Sequence, residues 1–425
     1  MAAASLRRTR TRTAVAGGLL DSGFAALAAF ASSIYASRVF EIGLLGYYSV
    51  FLTAFVASSN IPGRLLFFPY EIAAAGRPDH RRLAYVKTGL IRATPLAVVS
   101  AAGFSLVAGL ITQEAGFPVV LGLGGSMAIA ASLSPLQDFV RRMLHLGHRS
   151  GKAVLVSALQ LAGVLVFLFV FDAMGIDQVW IPYLALAGAN AASLLLGVFL
   201  VGSVNQGIAE EPPRFKAMAR SAWWLLYISL PGPALGLVVN AIVLNLADAV
   251  ALGFAEAARQ VARPLLVVTT GLGMSLRPRS FAAAQRKQRS AARRLEWIFI
   301  ATTLAAGLVY TTLVSLDWPG NVMSLLIPKA FETDGLVVAV CLANIALGVA
   351  FPSGYELVGA GRERYAALVE SLAQVPRTAV AGFASLLGAF TIAASEMVLG
   401  VSRFVGYRHG LRQIYGDAPN RAPQD

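Results

Sequence analysis

The chain has 425 residues, of which 57% are hydrophobic and only 13% are charged, with a mean hydropathy of +0.67. A soluble globular protein carries about 25% charged residues, so this composition excludes a soluble enzyme, a nucleic-acid-binding protein and a secreted disulfide scaffold. The net charge of +13 lies mostly in short segments between apolar runs, and no nucleic-acid partner is expected. The single cysteine, Cys341, lies in an apolar run and cannot form an intrachain disulfide.

Twelve apolar segments are long enough to cross a bilayer, which takes about 20 residues in a helix. The connections between them are too short to fold as separate domains. The sequence therefore predicts an all-α polytopic membrane protein. The predicted spans are residues 14–36, 44–69, 85–111, 117–140, 152–174, 179–203, 221–246, 250–275, 297–316, 334–358, 364–384 and 387–407.

The basic residues give an independent test of this count, because cytoplasmic loops collect Lys and Arg. Of the 35 Lys and Arg residues, 27 lie near the two termini or in even-numbered loops, whereas the odd-numbered loops contain only Arg38 and Lys329. We therefore expect a multi-pass protein of the cytoplasmic membrane with both termini cytoplasmic. The first segment could instead be a signal peptide, but Asp21 interrupts it and it has a counterpart in the second half.

Three short matches, in the same order, relate the two halves of the chain. Residues 41–47 align with 248–254, residues 69–75 align with 278–284, and the third match pairs Gly147, Ala153, Ser157 and Gln160 with Gly361, Ala367, Ser371 and Gln374. Six helices is an even number, so both repeats enter the membrane in the same direction. Parallel repeats predict two six-helix lobes around a central cavity that opens alternately to either side.

This repeat predicts the domain organisation. We expect a cytoplasmic tail over 1–13, an N-lobe over 14–203, a cytoplasmic linker over 204–220, a C-lobe over 221–407 and a cytoplasmic tail over 408–425.

Motifs for enzymatic chemistry are lacking in the sequence. It contains no Gly-rich nucleotide-binding loop, and its short outer loops carry only scattered acids, so neither ATP hydrolysis nor another enzymatic activity is expected. No cofactor and no metal site are predicted either. The four histidines, interpreted as solvated loop residues or lipid-headgroup contacts, are His80, His145, His148 and His409.

The most informative residues are charged groups inside apolar segments, since a central Arg costs about 2.5–3.5 kcal/mol on insertion scales. In the eighth segment, a spacing of i, i+3, i+4 and i+7 places four polar residues on one helical face: Glu256, Arg259, Gln260 and Arg263. One interpretation is an internal ion pair. The other is an anion site facing a cavity, because one carboxylate cannot neutralise two guanidinium groups.

Further polar residues lie in other apolar segments. The second segment has Asn60 and Arg64 on one face, and Asp21 and Asn240 lie in the first and seventh. Arg64, Asn60 and Asn240 extend the predicted anion site. Asp21 and Glu256 are candidates for binding a coupling ion or for forming an ion pair.

Four other arginines can be explained by their position near the cytoplasmic side, without a role in the anion site. Arg92 and Arg377 lie nearer the cytoplasmic ends, where their side chains could snorkel, and they are secondary candidates. Arg141 and Arg142 are interpreted as ordinary cytoplasmic charges. Guanidinium groups stay ionised and hold phosphate through two hydrogen bonds, so the predicted site favours a phosphate or pyrophosphate.

With these features the sequence resembles the multidrug/oligosaccharidyl-lipid/polysaccharide (MOP) exporter superfamily, and within it the polysaccharide (O-antigen-type) flippases. The resemblance is carried by the twelve segments in two parallel repeats, by Glu41, Gly46 and Tyr47, and by the junction over 137–149. It implies a positively charged lumen lined by helices one, two, seven and eight, on which Arg64, Arg259 and Arg263 fall.

The resemblance also implies a function. The expected activity is flipping of a polyprenyl-pyrophosphate-linked oligosaccharide across the membrane, with membrane lipids and polysaccharide-assembly enzymes as candidate partners. Drug exporters of the same superfamily typically use buried acids for cation coupling. Asp21 and Glu256 therefore keep open the alternative of a cation-coupled drug or small-molecule antiporter.

Overall fold

The computed structural model describes residues 2–75, 79–202, 215–316, 318 and 321–415. These residues form α-helices joined by short turns, with no β-strand among them. The helices are α1 (Ala2–Val39), α2 (Ile42–Pro62), α3 (Phe68–Ala75), α4 (Val86–Ile111), α5 (Phe117–Leu146), α6 (Ser150–Ala173), α7 (Ile181–Gly202), α8 (Phe215–Ser229), α9 (Pro231–Leu246), α10 (Ala249–Gln285), α11 (Arg289–Ser315), α12 (Val322–Leu326), α13 (Leu336–Gly359), α14 (Glu363–Ala381), α15 (Ala384–Leu387) and α16 (Phe390–Tyr415).

Each of the twelve predicted spans corresponds to a helix or to two consecutive helices, which confirms the predicted fold class. The second span consists of α2 and α3, joined by a π-helical turn over Gly63–Phe67. The seventh consists of α8 and α9, which meet at Pro231. Proline has no N–H to continue a helix, so a break at this position has a direct chemical cause.

The predicted ends of the segments agree less well with the observed helix ends than the spans themselves do. Helix α1 begins at Ala2, inside the predicted N-terminal tail, and α8 begins at Phe215, inside the predicted linker. Residues 204–214 of that linker and 416–425 of the predicted C-terminal tail lie outside the described residues.

Eight helical segments in the described ranges are long and apolar enough to cross a membrane. The other predicted spans correspond to α1, α10, α14 and α16. Each of these four helices carries a buried acidic residue, namely Asp21, Glu256, Glu370 or Glu396, although α11 and α13 also carry one each, Glu296 and Glu356. Charged groups lower the hydropathy of a span, which is why a hydropathy criterion leaves out α1, α10, α14 and α16.

Large apolar side chains remain exposed along several helices, as expected for a surface that faces lipid. Leu195 and Phe199 on α7 are 72% and 73% exposed, and Phe169 on α6 is 72% exposed. An apolar surface of this kind in a folded chain indicates a membrane or an interaction surface. Together with the helix lengths, it supports a multi-pass membrane protein.

The helices form two compact units. Unit 1 comprises Met1–Glu41 and Tyr47–Leu237, and unit 2 comprises Ile42–Gly46 and Val238–Asp425. In unit 1 the packed helix pairs include α4–α5, α5–α7 and α6–α7. In unit 2 the corresponding pairs α11–α13, α13–α16 and α14–α16 are also packed. The third, fourth, fifth and sixth spans of each repeat therefore pack in the same order, as a duplication requires.

Two glycines aligned by the repeat lie at one helix crossing within unit 2. A Cβ atom on Gly46 would lie 1.9 Å from the carbonyl oxygen of Ala249, and a Cβ on Gly253 would lie 1.9 Å from that of Ile42. The contacts are reciprocal, and only glycine allows the two backbones to approach so closely. This contact explains why residues 42–46 belong to unit 2.

Candidate functional site

The first polar cluster lies in unit 1 around Asp21 of α1, which is only 4% exposed. Its Oδ1 accepts a hydrogen bond from the hydroxyl of Ser157 on α6. Its Oδ2 lies 2.9 Å from Nε2 of His145 and 3.5 Å from Nη1 of Arg141, both on α5. A buried carboxylate of this kind requires such partners, because burying an isolated charge is very costly.

Arg141 connects this carboxylate to a second one on its own helix. Its Nη2 lies 2.5 Å from Oδ1 of Asp138, and its Nη1 donates to the backbone carbonyl of Asp21 at 3.3 Å. Asp138 also binds Arg142 at 3.0 Å, and Arg142 lies 3.7 Å from Glu71 on α3. The formal charges of Asp21, Asp138, Arg141 and Arg142 sum to zero, and Glu71 adds a further carboxylate beside Arg142.

Near this cluster, three side-chain amides form a chain of hydrogen bonds in the core of unit 1. Gln137 donates to Gln160 at 3.3 Å, and Gln160 donates to Asn190 at 2.6 Å. These residues lie on α5, α6 and α7, and Asn190 is fully buried. Among the described residues, its Nδ2 atom has no hydrogen-bond partner. Polar groups thus connect three helices inside an otherwise apolar interior.

The predicted residues on the second and third spans of unit 1 make contacts of their own. Asn60 donates to the carbonyl of Val56 one turn earlier on its own helix. Arg64 lies in the π-helical turn, with its guanidinium carbon 5.9 Å from the ring centre of Phe68. Arg92 is exposed and donates to the hydroxyl of Tyr70 at 3.1 Å. The charge of Arg64 also acts on Glu71, the carboxylate beside Arg142.

The second polar cluster lies in unit 2 and is centred on Glu256 of α10, which is 2% exposed. Its Oε1 accepts from Gln260 at 2.6 Å and from Arg263 at 3.1 Å. Its Oε2 lies 3.4 Å from Nη1 of Arg259. The polar stripe predicted from the sequence is therefore one connected group, and the internal ion pair considered for Glu256 is present with both arginines.

This cluster extends to two further helices of unit 2. Arg259 binds Glu396 of α16 at 3.1 Å, and Arg403 binds Glu370 of α14 at 2.5 Å. Arg377 of α14 is 7% exposed and donates to Gln374 at 2.9 Å. We call this set of charged residues the unit 2 cluster. It consists of Glu256, Arg259, Arg263, Glu370, Arg377, Glu396 and Arg403.

Four guanidinium groups face three carboxylates in the unit 2 cluster, which leaves a formal charge of +1. Arg259 and Arg263 retain 31% and 24% of their side-chain exposure, whereas the Glu256 side chain retains 1%. The accessible edge of the cluster is therefore cationic, and the carboxylates lie beneath it. Asn240, another predicted residue, is buried on α9 in the same unit.

Sequence reasoning missed most of the Asp21 cluster. His145 was interpreted as a solvated or headgroup-binding residue and Arg141 as an ordinary cytoplasmic charge, yet both contact a buried carboxylate. The available signal was the i, i+4, i+8 spacing of Gln137, Arg141 and His145, which places all three on one face of α5. Glu396 was also missed, because its partner Arg259 is far away in sequence.

Comparison with known proteins identifies the class of fold. No family model matches the chain, and no curated protein matches it in sequence. Solved structures do match. One is the inward-facing conformation of a multidrug resistance MATE family transporter of the MOP superfamily, with 13% identity over 93% of this chain and 96% of that chain and a TM-score of 0.69.

Two further solved structures match over similar lengths. The Vibrio cholerae MATE transporter VcmN, in a mutant form, is 16% identical over 95% of this chain and 98% of that chain, with a TM-score of 0.62. A MOP superfamily transporter from Pyrococcus furiosus is 14% identical over 95% of both chains, with a TM-score of 0.64, and is described as having a binding pocket of reverse polarity that suggests a different function.

The chain therefore has the same fold as these solved transporter structures. Two of their descriptions place them in the MOP superfamily, the superfamily that the sequence resembles. At these identities the likeness establishes the architecture alone. Two of the three structures described are MATE transporters, and none of the three descriptions names a polysaccharide flippase.

Proposed function

We propose that the chain is a proton-coupled antiporter that exports small amphipathic molecules, with Asp21 as the coupling group. The observation that carries this proposal is the Asp21 cluster: a buried carboxylate, hydrogen-bonded to a histidine and a serine, inside a transporter fold. Ionisable groups within membrane spans are costly and mark proton or substrate pathways. Cation-coupled antiport is the alternative that the acids Asp21 and Glu256 keep open, and the fold shared with MATE transporters favours it over lipid flipping.

The unit 2 cluster supports a preference for anionic substrates. Each carboxylate in it already binds an arginine, whereas its two more exposed arginines give it a cationic edge. An organic cation would have to displace one of these arginines, while an anion would meet guanidinium groups directly. The reverse polarity described for the Pyrococcus furiosus transporter is consistent with pockets of more than one polarity on this fold.

The proposal is tested with purified protein in liposomes that have an acidic lumen. Antiport carries protons out and dye in, so the anionic dye sulforhodamine B should accumulate faster than in protein-free liposomes, and faster than the cation ethidium. Asp21→Asn should reduce uptake to the protein-free rate. The matched control is Asp172→Asn, an exposed acid on the same unit, which should retain wild-type uptake.

Two outcomes would contradict this proposal. Equal uptake by the wild type and Asp21→Asn would remove Asp21 as the coupling group. Faster uptake of ethidium than of sulforhodamine B would contradict the anionic preference.

A second candidate function is flipping of a polyprenyl-pyrophosphate-linked oligosaccharide, as the sequence resemblance implied. The observation that favours it is the net positive charge of the unit 2 cluster, since pyrophosphate is a multiply charged anion that guanidinium groups bind well. A fluorescent NBD-labelled lipid of this type in liposomes gives the test. Flipping would let dithionite, added outside, quench more of the dye than in protein-free liposomes. Quenching unchanged by the protein would contradict the flippase function.

A further inference from the structure

His145 lies in the last turn of α5, between the buried Asp21 and more accessible surroundings. The side chain of Asp21 is 6% exposed, whereas that of His145 is 25% exposed. Nε2 of the ring lies 2.9 Å from Oδ2 of Asp21, and Nδ1 lies 3.2 Å from the hydroxyl of Ser150 on α6. The two ring nitrogens therefore face opposite directions, one toward the buried acid and one toward the α5–α6 turn.

The two oxygens of Asp21 have different partners. The Oδ1 atom accepts from the Ser157 hydroxyl, while Oδ2 is the atom that faces His145 and lies 3.5 Å from Arg141. Ser157 thus fixes the rotation of the carboxylate and leaves Oδ2 directed at the histidine ring. This geometry selects one oxygen for proton exchange.

The charged side chains on the elements around this pair are mostly basic. Helix α5 contributes Arg141, Arg142 and Asp138, whose contacts are described above. On the α6 side, Arg149 begins the helix and Lys152 donates to the carbonyl of Leu200. The turn over Asp79–Tyr85 contributes Arg82, which contacts His148. Residues 17–39 of α1 add Arg38 at the opposite end, and the described residues of α7 carry no charge.

We propose that His145 is the residue through which Asp21 exchanges its proton with the cytoplasmic side of the membrane. This inference rests on the proposed coupling role of Asp21 and on the predicted cytoplasmic position of the α5–α6 turn. The proton of the Asp21 carboxyl group passes from Oδ2 to Nε2, and the proton on Nδ1 leaves to water. A neutral ring in its other tautomer remains, and rotation or tautomer exchange resets it. Imidazole suits this step because its two nitrogens can accept and donate separately near neutral pH.

If His145 relays the proton, the rate at which Asp21 gains or loses its proton depends on the histidine side chain. In the purified full-length protein, the infrared carboxyl band of Asp21 can be assigned by its loss in Asp21→Asn. After a rapid pH jump, this band reports how fast Asp21 gains or loses its proton. His145→Ala should slow that change by roughly 100-fold, the scale of general acid–base catalysis. Added imidazole should restore the rate, because the site is partly exposed.

A neighbouring histidine provides the matched control. His148 is exposed and contacts Arg82 at 2.8 Å rather than Asp21. His148→Asn should leave the rate unchanged, and asparagine tolerates the positive φ of 57° at this position. If His145→Ala fails to fold, His145→Gln retains a hydrogen-bonding side chain while lacking a group that can relay a proton.

The outcomes separate this inference from the proposed function. A wild-type proton-exchange rate in folded His145→Ala or His145→Gln would overturn the relay, even if Asp21 remains essential for transport. Slow exchange in His145→Ala without rescue by imidazole would also overturn it, because it would indicate a structural role. If Asp21→Asn transports normally, the coupling proposal fails, while the infrared rate still measures the relay.

Discussion

Glu256 binds three side chains on its own helix, and two of them are arginines. Removing one member of a buried ion pair costs about 3–5 kcal/mol, because the partner is left with an uncompensated charge. At the same time, one carboxylate offers only one negative charge to Arg259 and Arg263. The stripe can therefore stabilise α10 and still attract an anion, and these two roles can be separated by mutation.

We expect Glu256→Gln and Arg263→Gln to lower thermal stability when made singly, and the double variant to recover most of it. Transport of sulforhodamine B should stay low in Arg263→Gln and in the double variant. A charge-assisted hydrogen bond contributes about 1.5–3 kcal/mol, which corresponds to roughly 10- to 100-fold in affinity. The measurements are thermal unfolding of the purified protein and the concentration dependence of dye uptake.

The double variant decides between the two roles. If it regains both stability and dye transport, Arg263 serves only the internal ion pair and the anion preference fails. If stability returns and transport does not, the guanidinium has a role beyond neutralising Glu256. Arg263→Lys should restore transport only in part, since lysine keeps the charge but lacks the planar fork.

The two clusters also show which contacts a single sequence can reveal. Glu256, Gln260 and Arg263 share one helical face, so their proximity follows from the spacing along α10. The contact between Asp21 and His145 joins residues 124 positions apart and depends on how α1 packs against its neighbours. Hydropathy and charge rules give no information on that packing, and a histidine near a basic loop is adequately explained by the loop alone.

At the scale of helices, the apolar runs specify where each span lies, whereas backbone chemistry determines how it is interrupted. The spans were predictable because lipid requires about 20 apolar residues with their hydrogen bonds satisfied within the helix. The break between α8 and α9 was not predicted, although Pro231 marks it. The π-helical turn after Pro62 was also missed, because tertiary packing must stabilise it.

The close crossing of α2 and α10 predicts that alanine at either contacting glycine destabilises the protein. A methyl group on Gly46 or Gly253 would lie 1.9 Å from a backbone carbonyl oxygen, so the helices must move apart. Overpacking a close contact typically costs about 1–3 kcal/mol. Gly46→Ala and Gly253→Ala should therefore lower the thermal unfolding temperature of the purified protein.

Gly43 on the same helix is the matched control for this crossing. A Cβ there would have Val250 as its nearest neighbour at 3.9 Å, which is ordinary contact. Gly43→Ala should therefore leave stability unchanged within error. Equal stability of Gly46→Ala and Gly43→Ala would show that α2 and α10 do not approach as closely as described.

At the scale of the whole molecule, the distribution of basic residues predicts which side of the membrane each loop occupies. The segment over 277–294 contains seven Lys and Arg residues and no acid. Moving one charge across the membrane potential is worth about 2.3 kcal/mol per 100 mV, so translocating this segment would be very unfavourable. Both termini and this segment are therefore predicted to be cytoplasmic.

Cysteine labelling tests this orientation in intact cells. Ser290 is exposed at the start of α11, and the native Cys341 is fully buried and can be replaced by alanine to give a cysteine-free background. Ser290→Cys in that background should resist a membrane-impermeant maleimide until the membrane is permeabilised. Gln178→Cys, exposed in a predicted outer loop, should label without permeabilisation and serves as the control. Labelling of Ser290→Cys but not of Gln178→Cys in intact cells would invert the orientation, and it would place His145 on the outer side, where it could not exchange protons with the cytoplasm.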